Sequence, residues 1–375
     1  MRIVVSGGGS AGHITPTLAV CEKLKSLDSS LELLYIGQAS SMEARIVAAA
    51  KIPFASIQAG KLRRTKSLQA AMLNVRDMAL AVTGVAQATK VLRQFKPDIV
   101  FLKGGYVCLP VGVAAKLLRI PYVIHESDIH VGLTNRILAR WATTIAVGFP
   151  VKNYHDFDPD KLVFTGNPVR HGLLRAHRLE GLAAFKLEGA LPVILVTGGS
   201  QGARQVNDVV LDALPELLER YQVIHQTGDG EIGRIKFELS RRKLKYIKRY
   251  RPVAFLMAEM PMALAAADLL IARAGAQTIA EAAVLAKPTV LIPNYQAAAH
   301  QQENAKVLAR AGAARVLNGA TVTPGQLVGE VRRILDNPHE LELLGQGIKA
   351  FGRPHAAADL AKLILRVAGQ GRTRG

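Results

Sequence analysis

The chain is 375 residues long, 49% hydrophobic and 21% charged, with 48 Lys and Arg against 29 Asp and Glu and a formal net charge of +19. That length exceeds one ordinary core and predicts two domains, and the balance of apolar and charged residues excludes a disordered chain. No run approaches the roughly 18 apolar residues of a membrane-spanning helix, the start lacks a signal-peptide layout, and Cys21 and Cys108 stand too far apart for a disulfide framework or a metal site, so a cytoplasmic setting is expected.

The first apolar run, "RIVVS" (2–6), leads into glycines at 7, 9 and 12 and then a helical pattern from about Thr15. Strand-like runs follow at "LELLYIG" (31–37), "PDIVFL" (97–102), "PYVIHE" (121–126) and "TTIAVGF" (143–149), separated by helix-length stretches. This alternation predicts parallel strands joined by crossover helices, hence an α/β chain with a doubly wound sheet. The pattern restarts after residue 190 with "LPVILVTGGSQGAR", then "YQVIHQTG", "ADLLIARAGAQTIAEAAVLAKPTVLIP" and "AARVL", and closes in helical segments beyond Pro324. Gly166, Asn167 and Pro168 break regular structure between the halves. The expected domains are therefore 1–165 and 166–340, with helices in 341–375 packing back toward the first.

The opening loop has the G-x-G-x-x-G spacing of a dinucleotide-binding turn, which also needs an acid at the end of the second strand for the ribose hydroxyls. That strand ends in Gly37 and Gln38, and its acid, Glu32, stands at the wrong end, so a nicotinamide cofactor is not favoured. His13, directly after the turn, reads either as a cap or as a proton acceptor for a hydroxyl nucleophile. Further polar clusters follow strands: "KGGYV" (103–107), "HESD" (125–128), "GGSQGAR" (198–204) and "RAGAQTIAE" (273–281). Glycine-rich turns that open helices are suited to a diphosphate, and in open sheets ligands bind beyond the carboxyl ends of strands. Together the clusters predict a cleft for a nucleotide diphosphate.

The motifs "GGGSAGH", "GGYV", "HE" with "GLTNR", "GNPVR", "GGSQGAR", "AGAQTIAE" and "HQQENA" occur in the order and spacing of MurG, and the chain resembles that family to about residue 315. The resemblance implies a GT-B fold, two Rossmann-like doubly wound parallel-sheet domains facing a central cleft, with the acceptor on the N-terminal domain. It implies transfer of N-acetylglucosamine from UDP-N-acetylglucosamine to lipid I, the undecaprenyl-pyrophosphoryl-N-acetylmuramyl-pentapeptide. By position, Ser10, Ala11 and Gly12 match the segment lining the sugar–diphosphate site, and Arg170 and Ser200 match phosphate contacts. Ala276, Gln277, Thr278 and Glu281 match the helix start that takes the nucleotide, with Glu281 on the ribose. Gln301 matches a sugar contact and Met257 a backbone contact to uracil, while His13, Tyr106, His125 and Glu126 match the polar side of the acceptor site. Where the family reads "HEQN" this chain has "HESD", so Asp128 replaces a sugar-contacting asparagine and adds negative charge that accepts but does not donate.

The chemistry these residues imply is an inverting displacement with an oxocarbenium-like transition state. His13 is the expected base, with Glu126 as the alternative or as the group that orients it. Arg170, Ser200 and the helix start at Ala276 are expected to stabilise the departing UDP. No Asp-x-Asp motif ends a strand, so no metal and no cofactor are implied. An epimerase acting on the same sugar nucleotide, another UDP-sugar glycosyltransferase and a non-catalytic binding protein remain alternatives.

Residues 61–140 carry 13 Lys and Arg against four acids, and "RIKFELSRRKLKYIKRYR" (234–251) carries nine against one. Such charge implies an anionic partner. Aromatics are only 5% and no nucleic-acid motif is present, so nucleic acid is not expected. "GKLRRTKSLQAAMLNVRDMALAVTGVA" (60–86) joins a basic cluster to an apolar stretch, which predicts peripheral attachment to the cytoplasmic face of an anionic membrane. The alternative for that stretch is a buried core helix.

Overall fold

The computed structural model describes residues 1–9, 11–39, 41–61, 68–170, 172–199, 202–294 and 299–372. The chain divides into two compact units, Met1–Val169 with His355–Gly375, and Arg170–Pro354. In the first, β1 (Arg2–Ser6), β2 (Glu32–Gln38), β3 (Phe54–Ile57), β4 (Ile99–Leu102), β5 (Tyr122–Glu126), β6 (Thr144–Val147) and β7 (Leu162–Phe164) form one sheet in the order 3-2-1-4-5-6-7. In the second, β8 (Val193–Thr197), β9 (Gln222–Gln226), β10 (Tyr250–Val253), β11 (Leu269–Ala272), β12 (Thr289–Leu291) and β13 (Arg315–Val316) run 10-9-8-11-12-13. Every pairing is parallel; Val4, for example, lies opposite both Leu34 and Val100.

Parallel sheets are covered by helices on both faces, so their central strands read as unbroken apolar runs. That is why β1, β4, β5, β8, β9 and β11 stand out in the sequence, where nearly every residue is buried. β3, β7 and β10 do not stand out because each is an edge strand, short and partly exposed. β10 even carries Pro252, which an edge tolerates because one side of the strand needs no ladder donor.

Each sheet reverses its winding once, between β1 and β4 and between β8 and β11. The loops after those four strands therefore diverge and leave a crevice at the carboxyl ends. The helix after β1 begins at Ala11, earlier than the expected Thr15, so His13 lies inside its first turn. Pro16 falls within this helix and supplies no N–H, and the Thr17 hydroxyl donates to the His13 carbonyl at 2.7 Å.

Ile3, Val5, Val20, Leu24, Tyr35, Ile99 and Phe101 form the first core, and Leu360, Ile364 and Val367 of the last helix, Ala356–Arg372, join it. Their spacing makes one apolar face, and full burial of each such side chain contributes about 1.5–3 kcal/mol. The helix Pro338–Lys349, by contrast, puts Leu344 into the second core with Ile194, Val196, Leu214, Ile271 and Val331. Residues 341–375 are thus not one body: the chain crosses back only near His355.

Candidate functional site

In the first unit the loop after β1 is fixed from below by Glu43, a buried carboxylate near the start of the helix Met42–Ala49. It accepts from Gly9 N–H at 3.0 Å and from Gln38 N–H at 2.8 Å. A loop amide that a cofactor pyrophosphate would use is therefore occupied by the protein's own anion, a second reason against a dinucleotide. Sequence reasoning looked for an acid at the end of β2 and missed Glu43, because the helix after that strand returns it to the loop.

Opposite this loop, Gly104 (φ +103°) and Gly105 (φ +85°) make a tight left-handed turn after β4. The Gly8 N–H donates to the Gly104 carbonyl at 3.4 Å, and the half-buried His13 ring lies against both glycines. Tyr106 closes the turn, donating to Gln38 Oε1 at 2.7 Å, and burial raises its phenol above the usual range.

Glu126, at the end of β5, is buried and accepts from Gly132 N–H (2.9 Å), Asn135 Nδ2 (3.0 Å) and Asp128 N–H (3.2 Å). Burial, and then the charge of Asp128, push its carboxyl up, while those donors hold it down. Asn135 also donates to the His125 carbonyl at 3.1 Å, and its Oδ1 has no partner among the described residues. It stands beside Gly104 and His13. The signal for it was the "GLTNR" motif, in which no residue was singled out. His125 corrects an expectation: it is fully buried, and its Nε2 is 2.9 Å from the Gly166 carbonyl. Burial, then the charge of Lys103, hold its pKa well below the ordinary value. A neutral ring then donates to Gly166 and braces the chain leaving β7, rather than facing a ligand. His13 is left as the accessible imidazole of this cluster.

In the second unit Met257 follows β10, and Ala276, Gln277, Thr278 and Glu281 lie on the helix that follows β11. Glu281 is buried on the helix Ala276–Val284, and its Oε1 accepts from Arg170 Nε at 2.6 Å and from Gln277 Nε2 at 3.2 Å. Arg170 Nη1 donates to the Met257 carbonyl at 3.2 Å. Arg170, Met257, Gln277 and Glu281 are thus brought together, but the first and last are ion-paired to each other. Ala276 and Thr278 share that helix start, whose cap Gly275 supplies no side-chain acceptor. Gln301, buried on the helix Ala299–Arg310, accepts from Asn294 N–H at 3.1 Å.

Arg273 follows β11 directly and is half-buried, with no acceptor for its Nε among the described residues. Burial draws its guanidinium below the ordinary value. A guanidinium held in this way presents a donor of the kind that suits an anion. The turn after β8 rests on Gln226, which donates to Thr197 Oγ1 (3.1 Å) and the Gly199 carbonyl (3.0 Å) and accepts from Leu256 N–H (2.9 Å). Ser10 and Ser200 lie outside the described residues, as does the Ala11 side chain; Gly12 is in the first helical turn.

Residues 3–147 match the glycosyltransferase family 28 N-terminal domain and residues 193–361 its C-terminal domain. A relative from Listeria welshimeri, named UDP-N-acetylglucosamine–N-acetylmuramyl-(pentapeptide) pyrophosphoryl-undecaprenol N-acetylglucosamine transferase, is 38% identical over 98% of this chain and 99% of its own. The crystal structure of Acinetobacter baumannii MurG superposes with a TM-score of 0.71 at 26% identity, over 97% of this chain and 99% of that one. The UDP-GlcNAc 2-epimerase of Neisseria meningitidis, solved with UDP-GlcNAc, has a TM-score of 0.69 over 98% and 100%, but at 16% identity it shares the fold alone. With identity to the transferase running nearly end to end through both loop clusters, the chain belongs to the MurG family of glycosyltransferases.

Proposed function

We infer that this chain transfers N-acetylglucosamine from UDP-N-acetylglucosamine to the 4-hydroxyl of N-acetylmuramic acid in lipid I, giving lipid II for peptidoglycan synthesis. The observation that carries the reading is the 38% identity to the named transferase over 98% of the chain. His13 takes the proton of the attacking hydroxyl as the new C–O bond forms at the anomeric carbon. The old bond to the diphosphate breaks on the other face, and UDP leaves with the electron pair. Glu126, enclosed by three donors, acts through its charge and its hold on the loop rather than as the base. On the second unit, Arg273 and the uncapped helix start at Ala276 take the growing charge of the diphosphate. Glu281 takes the ribose hydroxyls, with Arg170 fixing its carboxylate.

Incubation with labelled UDP-N-acetylglucosamine and lipid I should give lipid II; a free epimer or no product would overturn the transferase reading. A folded His13→Ala protein that still binds UDP should lose about 10²–10⁴ in turnover, and near-normal turnover would remove the base assignment.

The acceptor's lipid calls for a membrane-facing surface. On the helix Leu68–Phe95, Met78 (59%) and Val82 (68%) are exposed, as is Leu117 (66%) at the end of Cys108–Leu117. A shallow groove of about 750 Å³ runs between the two helices, lined by Val82, Val85, Ala86, Val113 and Leu117, with Lys90 and Arg93 beside it. The apolar stretch from Met78 is therefore not a buried core helix. The basic cluster before it falls largely in 62–67, outside the described residues. Apolar side chains flanked by cations suit partial insertion into an anionic leaflet, and no helix among the described residues is long and apolar enough to cross a membrane.

A further inference from the structure

Lys103 has no part in the reaction as derived so far. It follows β4 directly, donates its N–H to the Ser6 carbonyl at 2.8 Å, and is fully buried beneath the Gly104–Gly105 turn. Its ammonium donates to the Ser127 hydroxyl, and Ser127 stands between Glu126 and Asp128. A charge in the interior is held only where opposite charge compensates it. Burial draws the Lys103 pKa down to about 8, and the charges of Glu126 and then Asp128 oppose the fall. Attraction is mutual, so the ammonium favours the charged form of Glu126 in return.

The other titratable groups around it do not supply that compensation. His125 is kept neutral by burial and by Lys103 itself. Cys108 is pushed up to about 11 by burial, and Tyr154, next to both acids, is held well above its ordinary value by the same cause. Glu43 is engaged by the Gly9 and Gln38 amides, and His13 lies across the glycine turn. Lys103 is the cation of a cluster with two neighbouring acids.

We propose that Lys103 is a positioning residue: tied to Ser127 beneath the acceptor-side turn, its ammonium holds the Glu126 carboxylate within the cluster that contains His13. The inference rests on the transferase reading for its kinetic arm but not for its spectroscopic one.

The test compares Lys103→Met, Asp128→Asn and the double variant. In Lys103→Met the acid limb of kcat/KM for lipid I should move up by about one pH unit or more. Turnover should fall by about 30-fold while KM for UDP-N-acetylglucosamine stays within about twofold. Asp128→Asn should move the limb down, and the double variant should bring it back to within about 0.3 of the parent. Carboxyl ¹³C titration of glutamate-labelled protein, with Glu126→Gln for assignment, should show the same order for Glu126 itself. That readout stands even if the parent makes no lipid II, a result that would refute the function alone. Should Lys103→Met fail to fold, recovery of folding in the double variant supports charge compensation. An unmoved Glu126 titration in Asp128→Asn, or a double variant no better than Lys103→Met, overturns the proposal.

Discussion

Alanine at Gly105 is the most informative single perturbation of the first unit's loops, and its neighbour provides the control. Gly104 and Gly105 both have positive φ, +103° and +85°, so alanine at either position meets a left-handed penalty of about 1–2 kcal/mol. Their surroundings differ. A Cβ on Gly104 would meet Asn135 Nδ2 at 3.3 Å and the His13 ring at 3.5 Å, contacts that small side-chain movements relieve. A Cβ on Gly105 would stand 2.1 Å from the Gly8 carbonyl oxygen. A carbon needs about 3.3 Å from such an oxygen, so the β1 loop must retreat by roughly 1 Å. Overpacking of this kind adds about 1–3 kcal/mol, making Gly105→Ala about 2–5 kcal/mol against about 1–2 for Gly104→Ala. The loop leads straight into the turn bearing His13, and a 1 Å misplacement of a reacting group costs on the order of 100-fold. Urea unfolding and turnover on lipid I measure the two effects, and UDP affinity should be unchanged because the turn lies in the first unit. Equal stability and equal turnover for the two variants would refute the argument that Gly105 is required by the close approach of Gly8.

Three further outcomes follow from the charges. His225 is fully buried with Nδ1 2.8 Å from Tyr250 Oη and Nε2 3.1 Å from Asn207 Oδ1, and burial draws its pKa down to about 3. The unfolded chain then binds more protons between pH 3 and 6.5, so stability falls as pH drops through that window, by about 3 kcal/mol at pH 4 from this residue. The urea midpoint at pH 7 and pH 4 reads this, and His225→Gln should flatten the slope. Arg273→Met should lower kcat/KM for the sugar nucleotide by about 10²–10³ with the melting temperature unchanged or higher, since a half-buried cation whose Nε has no acceptor among the described residues is removed; lost stability with intact donor kinetics would make Arg273 structural. Val82→Glu with Leu117→Glu should abolish sedimentation with anionic vesicles, and binding that ignores these changes and salt would remove the membrane face.

The two doubly wound sheets were legible because their central strands are buried on both sides, which leaves unbroken apolar runs ending in glycine. The loops that matter follow those runs, so His13, Tyr106, Glu126 and Glu281 were found by position. Their partners were not. Arg170 and Glu281 are 111 residues apart, and no spacing rule shows that the two assigned to phosphate and ribose are hydrogen-bonded to each other. Glu43 was hidden by its place in a helix, and His125 looked like a ligand contact because a histidine beside a glutamate carries no sign of its burial. The basic segment 234–251 likewise reads as free charge. In the structure Arg242 donates to the Leu211 carbonyl, Arg249 to the Leu218 and Glu219 carbonyls, and Arg251 to those of Phe185 and Lys186. Part of that charge closes backbone acceptors within the fold and says nothing about a partner.

Topology carries the comparison between the two units one step further. Lys103 and Arg273 hold the same place, each the first residue after the strand on the far side of its sheet's reversal, and each joined through its N–H to the last residue of the central strand, Ser6 or Thr197. A cation at such a crevice meets whatever charge the loops bring. On the first unit the end of β5 and the loop after it bring the protein's own acids, Glu126 and Asp128, and the buried cation is tied to Ser127 between them. On the second unit the Nε of Arg273 has no acceptor among the described residues, and the one buried acid nearby, Glu281, is taken by Arg170. The same fold position thus serves two chemistries. On the proposed reading, the first cation serves the side where a hydroxyl loses its proton and the second the side where a diphosphate leaves. Moving the acid across, as in Ala274→Asp, should therefore weaken UDP binding by supplying Arg273 with an internal partner, by about 10-fold or more for 1.4 kcal/mol of competing pairing. Unchanged affinity in a folded Ala274→Asp protein would show that Arg273 is not the cation on which the diphosphate depends.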